Sequence, residues 1–459
     1  MNAVKKKSLF ETIEVVEVNE KNLLKIWPHL LLAVTKADFV AIDLELSGLG
    51  SRTNAKNVEE RYAGIRAAAQ SRSILSLGIS TFRLKEKKEK KKACVYEVHV
   101  FNIITMSSEA FTVEPAALQF LANHNFDFNK FIKSGVRYMP SSKNDDKKVC
   151  PMRSLFEDIL QNSATLCLHN GLFDLCFIYE HFYAPLPERF TVFRNCIADL
   201  FPAGFLPICD SKYLAEYVTR MPSSFLEYVF RRCQGDNSIE KEKSRIHVRI
   251  EFASIEKLKE DTETVNCKLP EDFPNHIVPS DIKEHLCHPY TNHGFCHRRR
   301  NGTCEKLHDV DYAIDLQREV EAKKRMKRKR RYSNVLPEAV NKEIEEEIEE
   351  WKQNKTDLKL EDLPPKNCKT GLTEGGSHRA GVDAFMTGFS VIFQQRHSLY
   401  HNDCVQKEAL NRVPLSGKAD PLIVQASIFS TGTCPIHQQK IAKIQEVRDK
   451  VIRDLTTFC

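Results

Sequence analysis

No stretch of the 459 residues approaches the roughly 18 consecutive apolar positions that a membrane-crossing helix needs, so no membrane partner is expected. The opening Met1-Asn2-Ala3-Val4-Lys5-Lys6-Lys7 leads into no apolar segment of secretory type. The 15 cysteines are scattered, except for three between 287 and 304. Reduced, intracellular thiols are therefore the expectation, some of them holding metal. Charge of one sign is also lacking. With 68 Lys plus Arg against 62 Asp plus Glu, the formal +6 says little, and the distribution of charge has to be read instead. What is present is a 42% hydrophobic fraction, enough to build one large core or two to three ordinary ones.

Helical spacing runs over 22–36 and leads into the apolar run Phe39-Val40-Ala41-Ile42-Asp43-Leu44-Glu45-Leu46, which reads as a strand. Residues 57–71 are expected as helix, 74–82 and 93–101 as strands, and the basic stretch 83–92 as the loop between them. Helical patterns follow at 115–123 and 153–162, then a buried-type strand at 164–169 that turns at Asn170-Gly171 into the helix holding Asp174. Asp210 precedes a further helix and is read as its N-cap. From 236 to 376 charge rises and apolar periodicity fades, which marks an insertion. Core-like sequence resumes at 377–425, with a strand-like stretch over 411–424, and 426–459 reads as a peripheral, partly helical tail.

Asp43 and Glu45 are two apart on a strand, so their carboxylates share a face. Paired like charges in apolar surroundings are costly, and the usual relief is a bound cation or a shared proton. Alone, each acid has a plain alternative: a solvent-facing strand for this pair, a favourable helix dipole for Asp174. Asp174 and Asp383 stand in equally apolar sequence, however, and four such acids on three distant segments suggest convergence. Hard oxygen ligands suit Mg²⁺ or Mn²⁺, and two ions about 3.5–4 Å apart can clamp the attacking and leaving oxygens of a phosphodiester displacement. His378, five residues before Asp383, is the base expected to take a proton from water.

The segments Ala41-Ile42-Asp43-Leu44-Glu45, His169-Asn170-Gly171-Leu172-Phe173-Asp174 and His378-Arg379-Ala380-Gly381-Val382-Asp383 resemble the three motifs of the DEDDh exonucleases. Within that superfamily the likeness is to the deadenylases related to poly(A)-specific ribonuclease, and it extends over roughly 10–235 and 375–425 through segments such as 111–120 and 210–216. The resemblance implies a ribonuclease H-like α/β fold, a mixed sheet flanked by helices. It also implies two Mg²⁺ (or Mn²⁺) held by Asp43, Glu45, Asp174 and Asp383, water activated by His378, and stepwise release of 5′-AMP from a 3′ end. On this reading 10–235 is the first part of a nuclease domain and 377–425 its final motif.

Within the insertion, Cys287-x8-Cys296-x7-Cys304-x3-His308 carries the ligand order of a CCCH zinc finger spanning 285–310. Three thiolates and an imidazole satisfy one structural Zn²⁺, and so short a loop has little core without it. The middle spacing is longer than the five common in such fingers, and His285, His288, His293 and His297 are spare donors. Phe295 and Tyr290 are candidates for stacking on unpaired bases. Lys323, Lys324, Arg325, Lys327, Arg328, Lys329, Arg330 and Arg331 make eight basic residues in nine, a nuclear-import signal or a phosphate-binding patch. An acidic helix is expected over 343–350.

Finger plus basic run resemble the nuclear, finger-bearing deadenylases. That likeness implies the nucleus, with Cajal bodies and nuclear speckles, recognition by import machinery, and RNA partners with 3′ oligo(A) or poly(A) tails, small nuclear RNAs foremost, in their 3′-end maturation. Two other readings remain open at this point: a non-catalytic RNA-binding adaptor that uses the finger, and a DNA exonuclease of the same superfamily.

Overall fold

A computed structural model describes residues 9–51, 57–141, 150–270, 273, 278–300, 303–332, 359, 361, 379–415, 417–427 and 432–457, with side chains omitted at 299–300, 323, 325–332 and 454–457. The chain begins β1 (Thr12–Val18), α1 (Leu23–Thr35), β2 (Phe39–Leu46) and α2 (Val58–Ser71). The hairpin β3 (Ile74–Lys88) and β4 (Ala93–Ser107) follows, then α3 (Pro115–Asn123), α4 (Phe128–Ser134), β5 (Val136–Tyr138) and α5 (Pro151–Gln161). Next are β6 (Thr165–Leu168), α6 (Leu172–Ile178), α7 (Phe190–Leu200), β7 (Ile208–Asp210), α8 (Leu226–Glu242), β8 (His247–Phe252) and β9 (Thr262–Asn266). The long helices α9 (Val310–Tyr332), α10 (Ala380–Asn402) and α11 (Pro435–Thr457) complete it.

The sheet runs β7-β6-β2-β3-β4-β1-β9, with β5 and β8 also pairing with β4. Within it, β3 lies antiparallel to β2 and β4, whereas β6 and β7 run parallel to β2. The order β4-β3-β2-β6-β7 with one reversed strand is the ribonuclease H-like arrangement that the motifs imply. Strand alternation divides β2 between two cores. Val40, Ile42 and Leu44 join the cluster under α1, α2, α5, α6 and α7, while Phe39 and Ala41 face the cluster of α8 and α10. Asp43 and Glu45 continue the second face, so the helix bearing Asp383 is the one laid over them.

Four expectations change. First, β8 and β9 lie inside 236–376 yet pair with β4 and β1, so the insertion proper starts after the sheet is complete. They were missed because, beside a half-exposed edge, charged side chains break the apolar pattern without preventing backbone pairing. Second, the basic stretch 83–92 is mostly strand: β3 runs to Lys88, its charges held by pairs such as Arg83 with Glu97 (2.9 Å) and Lys85 with Glu251 (3.1 Å). Third, the tail is not peripheral. Ile441 and Ile444 of α11 are buried, and Arg448 donates to the carbonyls of Leu160 (2.8 Å), Asp199 (3.1 Å) and Leu200 (2.6 Å), capping two other helices. Fourth, among the described residues the stretch 411–424 holds only the two-residue strands Arg412–Val413 and Leu422–Ile423.

Candidate active site and metal centres

The site grows from a close approach of α10 to the sheet. Asp43 on β2 is paired in register with Gly78 on β3. A Cβ on Gly78 would fall 1.8 Å from the Ala380 carbonyl oxygen and 2.5 Å from the Gly381 nitrogen, so only glycine admits the helix start here. Lower down, a Cβ on Gly388 would fall 2.2 Å from the Phe82 ring. Seated this way, α10 brings Asp383 to Asp43 and Glu45, and each of the three offers a carboxylate oxygen within 4.8 Å of the others. Glu45 and Asp383 are buried and Asp43 half-buried. Burial, followed by the neighbouring charges of Asp383, Asp174 and Glu45, pushes the Asp43 carboxyl well above its ordinary range. An acid that resists ionisation when bare, as Asp43 does, is one that a divalent cation relieves, and the all-oxygen donor set of the three suits Mg²⁺ or Mn²⁺.

Asp174, in the first turn of α6, reaches the same strand end. Burial pushes its carboxyl up to about 7, against the lowering effect of the Leu44 backbone N–H between the two β2 acids. The structure thus sets Asp174 beside the three-acid group and not within it. Asp210 is the cap expected: it accepts from the backbone N–H groups of Asn170 (3.1 Å), Gly171 (3.0 Å), Lys212 (2.9 Å) and Tyr213 (3.2 Å). It thereby pins the Asn170-Gly171 turn that launches α6. His169 stands at this turn with Nδ1 2.8 Å from Ser211 Oγ, and burial lowers its pKa to about 3, so the ring is neutral. His378 lies outside the described residues. Among the described residues, sequence reasoning missed Gly78; its one signal was a glycine in an otherwise apolar strand.

The four residues of the second candidate centre lie together. Cys287, Cys296, Cys304 and His308 each offer a donor atom within 4.8 Å of the rest, and the Cys304 thiol donates to Cys287 sulfur at 3.8 Å. Burial and the adjoining thiols push Cys287 up to about 11. Soft thiolates with one imidazole fit zinc. Tyr290 is corrected as a base-stacking candidate: it is buried, stacks on His308 with centroids 4.7 Å apart, and donates its hydroxyl to Glu227 at 3.2 Å. Phe295 remains 39% exposed. The basic run from Lys323 occupies the end of α9, and the acidic stretch 343–350 lies outside the described residues.

Compared with known proteins, the chain matches the model of the CAF1 family ribonucleases over residues 18–150 and 141–391. It is similar to the poly(A)-specific ribonuclease PARN of Danio rerio, 27% identical over 153 residues, 31% of this chain and 22% of that protein. It is also similar to the poly(A)-specific ribonuclease PNLDC1 of Mus musculus, 30% identical over 132 residues, 27% of this chain and 24% of the relative. The matched stretches thus span about a quarter of these relatives' length. Among solved structures, the S. pombe Pop2p in its Mg²⁺- and Mn²⁺-bound form aligns with TM-score 0.36 and 16% identity, over 48% of this chain and 82% of that one.

Proposed function

The chain belongs to the CAF1 family of ribonucleases, and from that premise we propose that it is a divalent-ion-dependent 3′-to-5′ exoribonuclease that removes adenosines from RNA tails and releases 5′-AMP. The observation that carries this reading is the meeting of Asp43, Glu45 and Asp383 within 4.8 Å where α10 crosses the sheet. Mg²⁺ or Mn²⁺ held there supplies charge neutralisation at the phosphodiester and a more acidic water. Asp43, Glu45 and Asp383, with Asp174 alongside as the fourth acid, would hold two such ions. His378, two residues before α10 begins, would accept the proton of the attacking water. Asp210, with His169 beside it, fixes the turn that aims Asp174.

Preference for adenosine is supported by the poly(A)-specific ribonucleases among the relatives. The zinc-bound finger adds RNA affinity, with Phe295 as its exposed ring. The basic run 323–331 supports nuclear import, and small nuclear RNAs with oligoadenylated 3′ ends, met in the nucleoplasm, Cajal bodies and nuclear speckles, are the substrates assigned. The test offers the full chain RNAs ending in A or in C, with Mg²⁺ or EDTA, and identifies the released nucleotide by chromatography. Release of 5′-AMP from the A-ended RNA in Mg²⁺ alone is expected. RNA that is bound but left uncut in every arm would replace the enzyme with a non-catalytic RNA-binding adaptor.

A further inference from the structure

A single row of residues crosses four strands of the sheet beneath the start of α10. Asp43 on β2 is opposite Gly78 on β3, Gly78 is opposite Asn102 on β4, and Asn102 is opposite Glu17 on β1. Directly opposed positions present their side chains to one face. The helix start is laid along this row residue by residue. Arg379 Nη1 stands 3.6 Å from Glu17 Oε1, the Gly381 N–H donates to Asn102 Oδ1 at 3.1 Å, and Ala380 lies against Gly78. At the far end Asp383 meets Asp43.

Asn102 is used on every side. Its Oδ1 also accepts from Ser76 Oγ at 3.1 Å, and its Nδ2 donates to both oxygens of Glu17 at 3.1 Å. Ser76 is the register partner of Glu45, so the amide bridges the strand beside one acid to the helix that carries another. Glu17, buried like Asn102, is held in turn by Lys130 (3.5 Å) and Arg379, which also pairs with Glu263. A leucine would fill the same place without the desolvation cost of an amide. What it lacks is a hold on the Gly381 N–H.

We propose that Asn102 and Glu17 are positioning residues for the ion site: with Arg379 they register the start of α10 on the sheet and so set where the Asp383 carboxylate stands relative to Asp43 and Glu45. This rests on reading the three acids as a divalent-ion site. Residues that orient metal ligands govern affinity while touching no ion themselves, typically by about 10–100-fold.

The test uses the full chain and Mn²⁺ as probe, followed by electron paramagnetic resonance, with thermal melting in EDTA to report folding. Asn102→Leu and Arg379→Gln should each weaken Mn²⁺ binding by about tenfold and raise the Mg²⁺ concentration for half-maximal rate in the same proportion. Arg379→Lys, which keeps the charge opposite Glu17, should retain most of the wild-type affinity. Should Asn102→Leu fail to fold, Arg379→Gln at the partly exposed end of the row and Glu17→Gln decide the matter by the same readout. Folded variants that bind Mn²⁺ as tightly as wild type overturn the positioning role alone. A wild-type chain that binds no Mn²⁺ overturns the ion site and the positioning role together.

Discussion

Two side chains of the site hold protons more tightly when folded than when unfolded, and the sign of that difference is testable. Asp174 rises from an ordinary 3.8 to about 7 through burial, and Asp43 is driven upward by burial and its acidic neighbours. A carboxyl raised on folding adds stability that is complete below 3.8 and is lost as pH climbs through its folded value. The melting temperature in EDTA should therefore fall between pH 5 and pH 8, and Mg²⁺ should restore much of the loss. Asp174→Asn should raise the EDTA melting temperature at pH 8 while lowering Mg²⁺-dependent activity. An Asp174→Asn chain that melts lower than wild type at pH 8 would contradict the buried, cation-dependent character of this acid. Mn²⁺ affinity should increase over the same pH interval, because protons compete for the same oxygens.

At the scale of elements, the decisive contact is α10 on β3. Gly78→Ala sets a methyl into the backbone of Ala380 and Gly381, and overpacking of this kind costs about 1–3 kcal/mol. Because it shifts the turn before Asp383, the rate should drop on the order of 10²-fold, the penalty for displacing a reacting geometry by about an ångström. Chemical denaturation and rate measured together would separate the two, and a variant with unchanged rate would show that α10 need not sit so close. Much of this element was legible in sequence: the period of two on β2 paired Asp43 with Glu45, and the apolar helix after His378 exposed Asp383 as its one acid. The seat was not legible. Nothing local to Gly78, Asn102 or Glu17 announces that three strands and a helix 300 residues further on will cross there, since strand register is a tertiary property. A lone amide inside Val100-Phe101-Asn102-Ile103-Ile104 was the available hint. Likewise β8 and β9 were hidden by edge charges, and α11 by its surface-like composition, although Arg448 anchors it.

Over the whole molecule, the cluster of Cys287, Cys296, Cys304 and His308 is fastened to the nuclease body. Buried Arg231 of α8 grips Asp311 of α9 through Nε (3.0 Å) and Nη2 (2.6 Å), Arg318 pairs with Asp236 (2.8 Å), and Ser223 donates to the Thr291 carbonyl (2.6 Å). Helix α8 in turn packs in the same apolar cluster as α10, by Val229 and Phe230 against Phe385 and Phe389. Stripping the buried pair with Arg231→Ala should cost about 3–5 kcal/mol, read by urea unfolding. A loss below 1 kcal/mol would mean that the finger only rests on the body. The spacing made the grouping of Cys287, Cys296, Cys304 and His308 legible; its docking was not, because Arg231 and Asp311 lie 80 residues apart and each looks like surface charge. The central claim is that acids from distant segments act as one ion-binding unit. Its most direct test follows 5′-labelled, A-tailed RNA in Mg²⁺ with wild type and with Asp43→Ala. Stepwise shortening by wild type, abolished by Asp43→Ala while the variant still melts cooperatively, is the expected result; shortening that persists in Asp43→Ala would contradict it.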